Sequence, residues 1–422
     1  MDMASSVHPE IIEAAPEDVG MSSSRLDHVT RLVHRYVDDG RFPGVISMVA
    51  RRGKVVHFET YGSMDVEAGK AMRPDAIVRL HSMTKPIASI ALMTLYEEAL
   101  FQLDDPASKH IPEFKDLQVF KGGTAERYET RAPAREMTIR DLLMHTSGLL
   151  QNTGVNSPVG QMYEKAGLRA LRAKGAGGTL KEMITKVGRM PLHCDPGSQW
   201  NYGISTDVVG YLCEVFSGQS FEEFVAERVL KPLRMEDTAF DVPAAKFDRF
   251  AAEYRCGGAG EPPYVLSEAP ASSALTGAQT YFSGAGGLVS AAADYMRFCK
   301  MLANGGELDG RRVIGPRTLS LMAMNHFEAG QDLAAMNGGA PTETTRDGIG
   351  FGLGFAVLLD PARAQIIGTP GEYYWGGAAS TAFFINPNED GLVMIFLTQL
   401  KPSSSYPIRR ELRTAIYQAI ID

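Results

Sequence analysis

The segment "VRLHSMTKPIASIALMTLYEEAL", from Val78 to Leu100, puts Ser82 and Lys85 at the start of an otherwise apolar stretch. Residues three apart lie on one face of a helix, so this hydroxyl and this ammonium can touch. Pro86 has no N–H, which the first turn of a helix does not need, and its position predicts a helix beginning near Ser82 or Met83. The chemistry such a pair can do is nucleophilic. A serine at a helix N-terminus sits in a positive field that favours its alkoxide. Its own N–H is free to donate to an oxyanion. A lysine withdrawn from water has a lowered pKa and can take the serine proton. Read alone, S-x-x-K also fits a serine that caps a helix beside a lysine that reaches out to solvent.

Two distant stretches extend this chemistry. "PGSQWNYGISTDVVGYLCEVF" sets Tyr202 just ahead of a helix predicted to begin near Ser205, after a turn at Pro196-Gly197. A phenol titrates at about 10 in water, too high for a base at neutral pH unless an adjacent ammonium favours the phenolate. Tyr202 is therefore a candidate base only if Lys85 is beside it; a tyrosine packing the start of a helix is the alternative. "GEYYWGGAASTAFFINP" runs Trp375-Gly376-Gly377-Ala378 toward an apolar strand. Glycines at a strand edge let a ligand approach the backbone closely. The Ala378 N–H is then a candidate second oxyanion donor beside that of Ser82. Taken by themselves these residues also fit a glycine-rich turn.

Together the three stretches resemble the serine β-lactamase and penicillin-binding-protein superfamily, and within it the class C β-lactamases and family VIII carboxylesterases. The family's S-x-x-K matches Ser82 to Lys85 and its tyrosine motif matches at Tyr202. Its third motif, K-T-G in lactamases and commonly W-x-G in the esterases, matches Trp375 to Gly377. The stretches "LDDPASKHIPEF", "TIRDLLMHTSGL", "FSGAGGLVSAAADYMRF", "NGGELDG" and "FGLGF" carry the likeness along roughly residues 20–420. The resemblance implies an α+β fold, a mainly antiparallel sheet flanked by helices with a helical domain beside it, and a site in the cleft between them. It implies acyl transfer through a serine ester: Ser82 as nucleophile, Lys85 and Tyr202 as a proton-handling unit, the N–H groups of Ser82 and Ala378 as oxyanion hole, and Trp375, Gly376 and Gly377 against the substrate. Lactamases of this kind carry Asn where this chain has Ile204, and Lys where it has Trp375. Losing a cation and an amide from the substrate side points to an uncharged ester rather than a β-lactam carboxylate.

The leading expectation is thus a serine carboxylesterase for short-chain acyl esters, with no cofactor and no metal. A weak cephalosporinase, a D-amino-acid peptidase or amide hydrolase, and an acyltransferase are alternatives on the same fold. A non-catalytic acyl or penicillin sensor is the alternative of another kind.

The elements that must position these residues are legible in outline. Residues 22–40, "SSSRLDHVTRLVHRYVDDG", read as an amphipathic helix with Leu26, Val29, Leu32 and Val33 on one face, Ser24 as cap and Gly40 as stop. "GVISMVARRGKVVHFETYG" reads as a hairpin turning at Arg52-Gly53. "FGLGFAVLLD", "TAFFINP" and "GLVMIFLTQL" read as short strands, and "PIRRELRTAIYQAIID" as a closing amphipathic helix. The expected organisation is an α/β domain from residues 1–95 and 271–422 with a mostly helical domain, 96–270, inserted into it. "KGGTAERYETRAPARE" and "LRAKGAGGTL" read as long loops of the kind that form lids and limit a cleft's reach.

Composition narrows the partners. The net charge of -8 and the lack of a basic tract argue against nucleic acid. No run approaches the ~18 apolar residues of a membrane span. The start of the chain, "MDMASSVHPEIIEAAPEDVG", lacks the basic and apolar regions of a signal peptide, so a cytoplasmic protein acting on a small-molecule ester is expected. Cys194, Cys213, Cys256 and Cys299 form no C-x-x-C pair, and the histidines no H-x-x-x-H pair, so neither zinc nor a disulfide framework is expected. Ser205 lies in a near-match to G-x-S-x-G that lacks the last glycine. His145, in "MHTSG", tempts a Ser-His-Asp reading, but the resemblance makes that segment structural.

Overall fold

A computed structural model of the chain describes residues 10–151, 156–172, 177–337 and 346–422. The first amphipathic helix spans Ser23–Asp38 and buries Leu26, Val29, Leu32 and Val33. Ser22, in extended backbone, holds the N-cap position, and Ser24 lies inside the helix, its hydroxyl 3.1 Å from that of Ser22. Strands Gly44–Arg51 and Lys54–Asp65 follow. Arg52 and Gly53 join them with φ of 52° and 72°, the left-handed pair that a two-residue hairpin turn requires.

An eight-stranded sheet grows from this hairpin, in the order Ile349–Phe351, Ala356–Leu358, Tyr373–Gly376, Ala382–Asn386, Leu392–Leu397, Gly44–Arg51, Lys54–Asp65 and Lys70–Ala71. Its neighbours pair antiparallel, and the two ends of the chain meet through Ile46 opposite Leu397 and Met48 opposite Ile395. Side chains alternate between the two faces of a strand. Ile46, Met48, Phe383 and Ile395 therefore enter one core, and Val45, Val49, Phe384 and Met394 another. The terminal helices Ser23–Asp38 and Ile408–Tyr417 close the second core with Val29, Leu412 and Ile416. Helix Ala292–Ala303 lies over the first. The fold is α+β.

Deeper in the first core, every residue of Thr84–Leu95 in the Thr84–Glu97 helix is buried, which is why that stretch is apolar all round. A single 3-10 turn, His81–Met83, precedes it. Ser82 thus stands one turn ahead of the α-helix rather than inside it, with Pro86 in the first α-turn.

The segment expected to be mostly helical holds helices Ile139–Met144, Pro158–Lys165, Leu180–Val187, Ser205–Ser217 and Phe221–Val225. It also holds two hairpins that the sequence did not announce. Val119–Gly123 pairs with Tyr128–Arg131 and carries the chain into the expected "KGGTAERYETRAPARE" loop, which holds the second strand whole. The second of these strands is exposed throughout, so it lacks the apolar alternation that marks a half-buried strand. Glu253–Cys256 pairs with Tyr264–Glu268, and Leu400–Lys401 adds to it in parallel. The second expected loop lies partly at 173–176, and the signal-peptide reading partly at 1–9, both outside the described residues. No described helix is long and apolar enough to cross a membrane.

Candidate active site

The turn that carries Ser82 is fixed from several sides. The Leu80 N–H donates to Leu288 O at 3.0 Å, the Tyr295 hydroxyl to Met83 O at 3.0 Å, and the Leu288 N–H to Thr84 Oγ1 at 3.1 Å. His81 has φ 47°, a left-handed conformation that costs a non-glycine residue about 1–3 kcal/mol. Its imidazole meets the Glu253 carboxylate at 2.5 Å, and Glu253 also pairs with Lys401. Burial pushes the Glu253 carboxyl up, but the hydrogen bond and charge of His81, with the charge of Lys401, outweigh it and hold the group at about 2.

Ser82 is half-buried at the surface of this turn. Lys85 is only 4% exposed, and its ammonium donates to Ser82 Oγ at 3.3 Å and to Ala285 O at 2.8 Å. The same ammonium lies 4.4 Å from the centroid of the Tyr202 ring, within the reach of a cation–π contact. Tyr202, far along the chain, therefore converges on Ser82 and Lys85, with Lys85 against the face of the phenol ring. Ser82, Tyr202, Trp375, Gly376, Gly377 and Ala378 all line one cavity of about 430 Å³. Among the described residues, neither the Ser82 N–H nor the Ala378 N–H has a backbone acceptor.

Trp375 and Gly376 pair with Phe383 and Ala382 on one side, whereas pairing on the other side stops at Tyr374 opposite Ala356. That end of the strand therefore has one open edge, which faces the cavity. Both glycines line the cavity, and the chain itself also approaches them closely. A Cβ on Gly377 would lie 2.3 Å from Leu80 O and 2.2 Å from Thr381 Oγ1. A Cβ on Gly376 would lie 2.7 Å from the Arg409 guanidinium. The strand end is thus pressed against the peptide that precedes His81-Ser82. Arg409, on the last helix, donates through Nη2 to Gly377 O and Thr381 O, each at 2.9 Å. With Arg346, Lys401 and Arg413 it also lines the cavity. This corrects the expectation that Trp375 leaves the substrate side without a cation: a guanidinium reaches the same turn from another element.

A model of the β-lactamase family matches residues 29–418. The chain belongs to the β-lactamase family. It is 32% identical to "Esterase EstB" of Burkholderia gladioli over 421 residues, 95% of this chain and 96% of that one. Among solved structures it is similar to EstCE1, described as a hydrolase with promiscuous acyltransferase activity, with a TM-score of 0.76, 26% identity and coverage of 93% of this chain and 99% of that one. Unliganded simvastatin synthase (LovD) from Aspergillus terreus superimposes with a TM-score of 0.78 over 94% of this chain and 98% of that one; at 22% identity this bears on the fold alone. This member of the β-lactamase family is a serine hydrolase.

In this β-lactamase-family site, Trp375 and two rings that the sequence did not single out, Trp200 and Phe351, frame Tyr202. Trp200 stacks on it at 5.6 Å between centroids, Trp375 tilts against it at 5.4 Å, and Phe351 meets Trp375 edge-on at 5.4 Å. A signal was available: the chain has 2 tryptophans, and both contact Tyr202. His145 packs 4.9 Å from the Tyr202 ring. Burial, with the charge of Lys85 adding to it, pushes the His145 imidazole well below its ordinary value, so it is neutral at neutral pH. It supports the tyrosine rather than forming a triad with Ser82. Ser205 is fully buried, its hydroxyl 2.8 Å from that of Ser147, away from the cavity. Among the described residues no group of three His, Cys, Asp or Glu side chains is arranged to hold a metal.

Proposed function

We propose that this serine hydrolase is a carboxylesterase, akin to family VIII, that cleaves short-chain acyl esters through an acyl-enzyme on Ser82. The observation that carries the reading is the Lys85 ammonium, withdrawn from water, 3.3 Å from Ser82 Oγ at the wall of the cavity. Ser82 Oγ bonds to the ester carbon as the bond to the alcohol oxygen breaks. The serine proton passes to the Lys85–Tyr202 unit, and Tyr202 returns a proton to the departing alcohol. With the ammonium 4.4 Å from the ring centroid, the first proton is assigned to the pair rather than to either residue. The N–H groups of Ser82 and Ala378 hold the oxyanion. Water then gives a proton to Tyr202 and its oxygen to the acyl carbon, which releases the acid and restores Ser82. A cavity of about 430 Å³ falls within the range usual for small-ligand sites.

A panel of p-nitrophenyl esters tests the reading. Turnover is expected to peak for acyl chains of about two to six carbons, because each methylene adds binding only while the pocket still receives it. Ser82→Ala is expected to lower kcat by at least about a thousandfold with the fold retained. An S82A protein that keeps more than a few per cent of the activity sends the assignment to another serine. A second reading, β-lactam hydrolysis, is favoured by one observation: Arg409 offers a cation to a carboxylated substrate. Nitrocefin is expected to be turned over orders of magnitude more slowly than a butyrate ester. Equal kcat/KM for the two overturns the esterase in favour of a lactamase.

A further inference from the structure

We infer that Asp207 is a positioning residue: it fixes the turn whose Ala285 carbonyl holds Lys85 against Ser82. The inference rests on the reading of Ser82 as nucleophile. The connection is short and continuous. Asp207 Oδ1 accepts the Ser283 hydroxyl at 2.6 Å and the Ala285 N–H at 3.0 Å. The Ala285 carbonyl accepts the Lys85 ammonium at 2.8 Å, and that ammonium donates on to Ser82 Oγ at 3.3 Å.

The turn has little freedom. A Cβ on Gly284 would lie 2.4 Å from Thr206 O, and a Cβ on Gly287 would lie 2.9 Å from the Phe240 ring. "FSGAGGLVS", glycine-rich without a phosphate-loop pattern, thus has its reason in this close packing. Thr206 and Asp207 belong to the first turn of the Ser205–Ser217 helix, and Tyr202 lies just ahead of that helix. One helix start therefore presents the Tyr202 ring to Lys85 and, through Asp207, the carbonyl that anchors the same ammonium.

Burial argues for a role beyond stability. Asp207 is 0% exposed, and its Oδ2 has no partner among the described residues. A buried carboxylate with an unused oxygen is costly, and apolar packing would often serve the fold as well. What a carboxylate does here is accept two donors at one oxygen, which a charged acceptor does more strongly than a neutral one.

The test is steady-state ester hydrolysis by the full chain, together with the rate at which a fluorophosphonate labels Ser82, its oxygen displacing fluoride. Asp207→Ala is expected to lower kcat and the labelling rate about 30- to 100-fold with KM within about threefold, since orientation and not binding is lost. Asp207→Asn keeps a carbonyl that accepts both donors, and is expected to stay within about fivefold of the parent. Ser283→Ala removes one of the two donors and is expected to cost about three- to tenfold in kcat; it carries the test should D207A fail to fold. Parent-like kcat in D207A or S283A overturns the inference, as does a D207N as impaired as D207A. Labelling of another serine in the parent overturns the nucleophile reading and this inference with it. Labelling of Ser82 at equal rates in parent and D207A overturns this inference alone.

Discussion

Two glycine-rich turns close on Ser82, and side chains of opposite charge hold them. The Ser283–Gly287 turn is gripped by a carboxylate: Asp207 accepts its hydroxyl and its Ala285 N–H. The Gly376–Ala378 turn is gripped by a guanidinium: Arg409 donates to the carbonyls of Gly377 and Thr381. Each anchor engages one kind of backbone group and leaves the other kind facing the site. With its N–H taken, Ala285 turns its carbonyl to Lys85. With the neighbouring carbonyls taken, the Ala378 N–H is left to the cavity. Similar composition thus goes with opposite polarity: an acceptor for an ammonium in one turn and, in the other, an N–H at the cavity that is the donor proposed for the oxyanion.

The severest way to break the comparison is Gly377→Ala. Its Cβ would meet the Leu80 carbonyl at 2.3 Å, and neither backbone can yield without moving the Ser82 turn or the Ala378 N–H. Losing an oxyanion donor costs roughly 10²- to 10³-fold in kcat. G377A is expected to reach that range in ester kinetics and to melt earlier; parent-like kcat would show that the turn does not present a donor. Arg409→Ala comes next. It takes a donor from the Gly377 carbonyl and leaves the Thr381 carbonyl with the Gly377 N–H alone, and kcat/KM is expected to fall about tenfold, the equivalent of roughly 1.4 kcal/mol and within the cost of an unpaired buried polar group. Arg409→Lys keeps the charge but not the planar guanidinium whose Nη2 meets both carbonyls, so it is expected to recover only part of the loss. An R409A enzyme indistinguishable from the parent would separate the guanidinium from the turn.

A smaller effect sharpens the frame that both turns share. The carboxyl of Glu253, behind His81, is held at about 2 against an ordinary value of 4.5. Its ionised form therefore favours the folded state, a contribution fully present above about pH 4.5 and lost as pH falls toward 2. Melting temperature followed over that window is expected to drop in the parent. Glu253→Gln is expected to melt earlier at pH 7 and to show a flatter acid limb. Equal slopes in the two proteins would remove Glu253 from the acid sensitivity. Smallest of all, Ser205→Ala is expected to keep kcat within about twofold and to cost about 1 kcal/mol for its bond to Ser147. A loss of activity comparable to that of S82A would return Ser205 to consideration.

What the sequence revealed and what it hid follow from distance along the chain. Ser82 and Lys85 sit in one turn, and Tyr202 and Trp375-Gly376-Gly377 carry their own local patterns, so each was readable where it stands. The first helix, the Arg52-Gly53 hairpin and the closing helix were readable because period and turn chemistry are local signals. Asp207 was not, because its partners Ser283 and Ala285 lie 76 and 78 residues away and nothing beside Asp207 announces them. Arg409 was missed for the same reason: it reaches Gly377 across 32 residues, and in sequence it is one arginine of a polar helix face. The Tyr128–Arg131 strand escaped on different grounds, since a strand with every residue exposed has no buried face to pattern. The resemblance to lactamases misled on one point. A cation missing at Trp375 is not a cation missing from the site, because space can be filled from another element.

Everything proposed for the site requires that Ser82 Oγ receive the acyl group. Mixing the enzyme with excess p-nitrophenyl butyrate, quenching with acid within the first turnovers and mapping peptides by mass measures this directly. The account predicts a butyryl adduct on the peptide containing Ser82, absent in S82A and accumulating further in Tyr202→Phe, where deacylation lacks its base. A butyryl adduct on a different peptide, or its persistence in S82A, would contradict it.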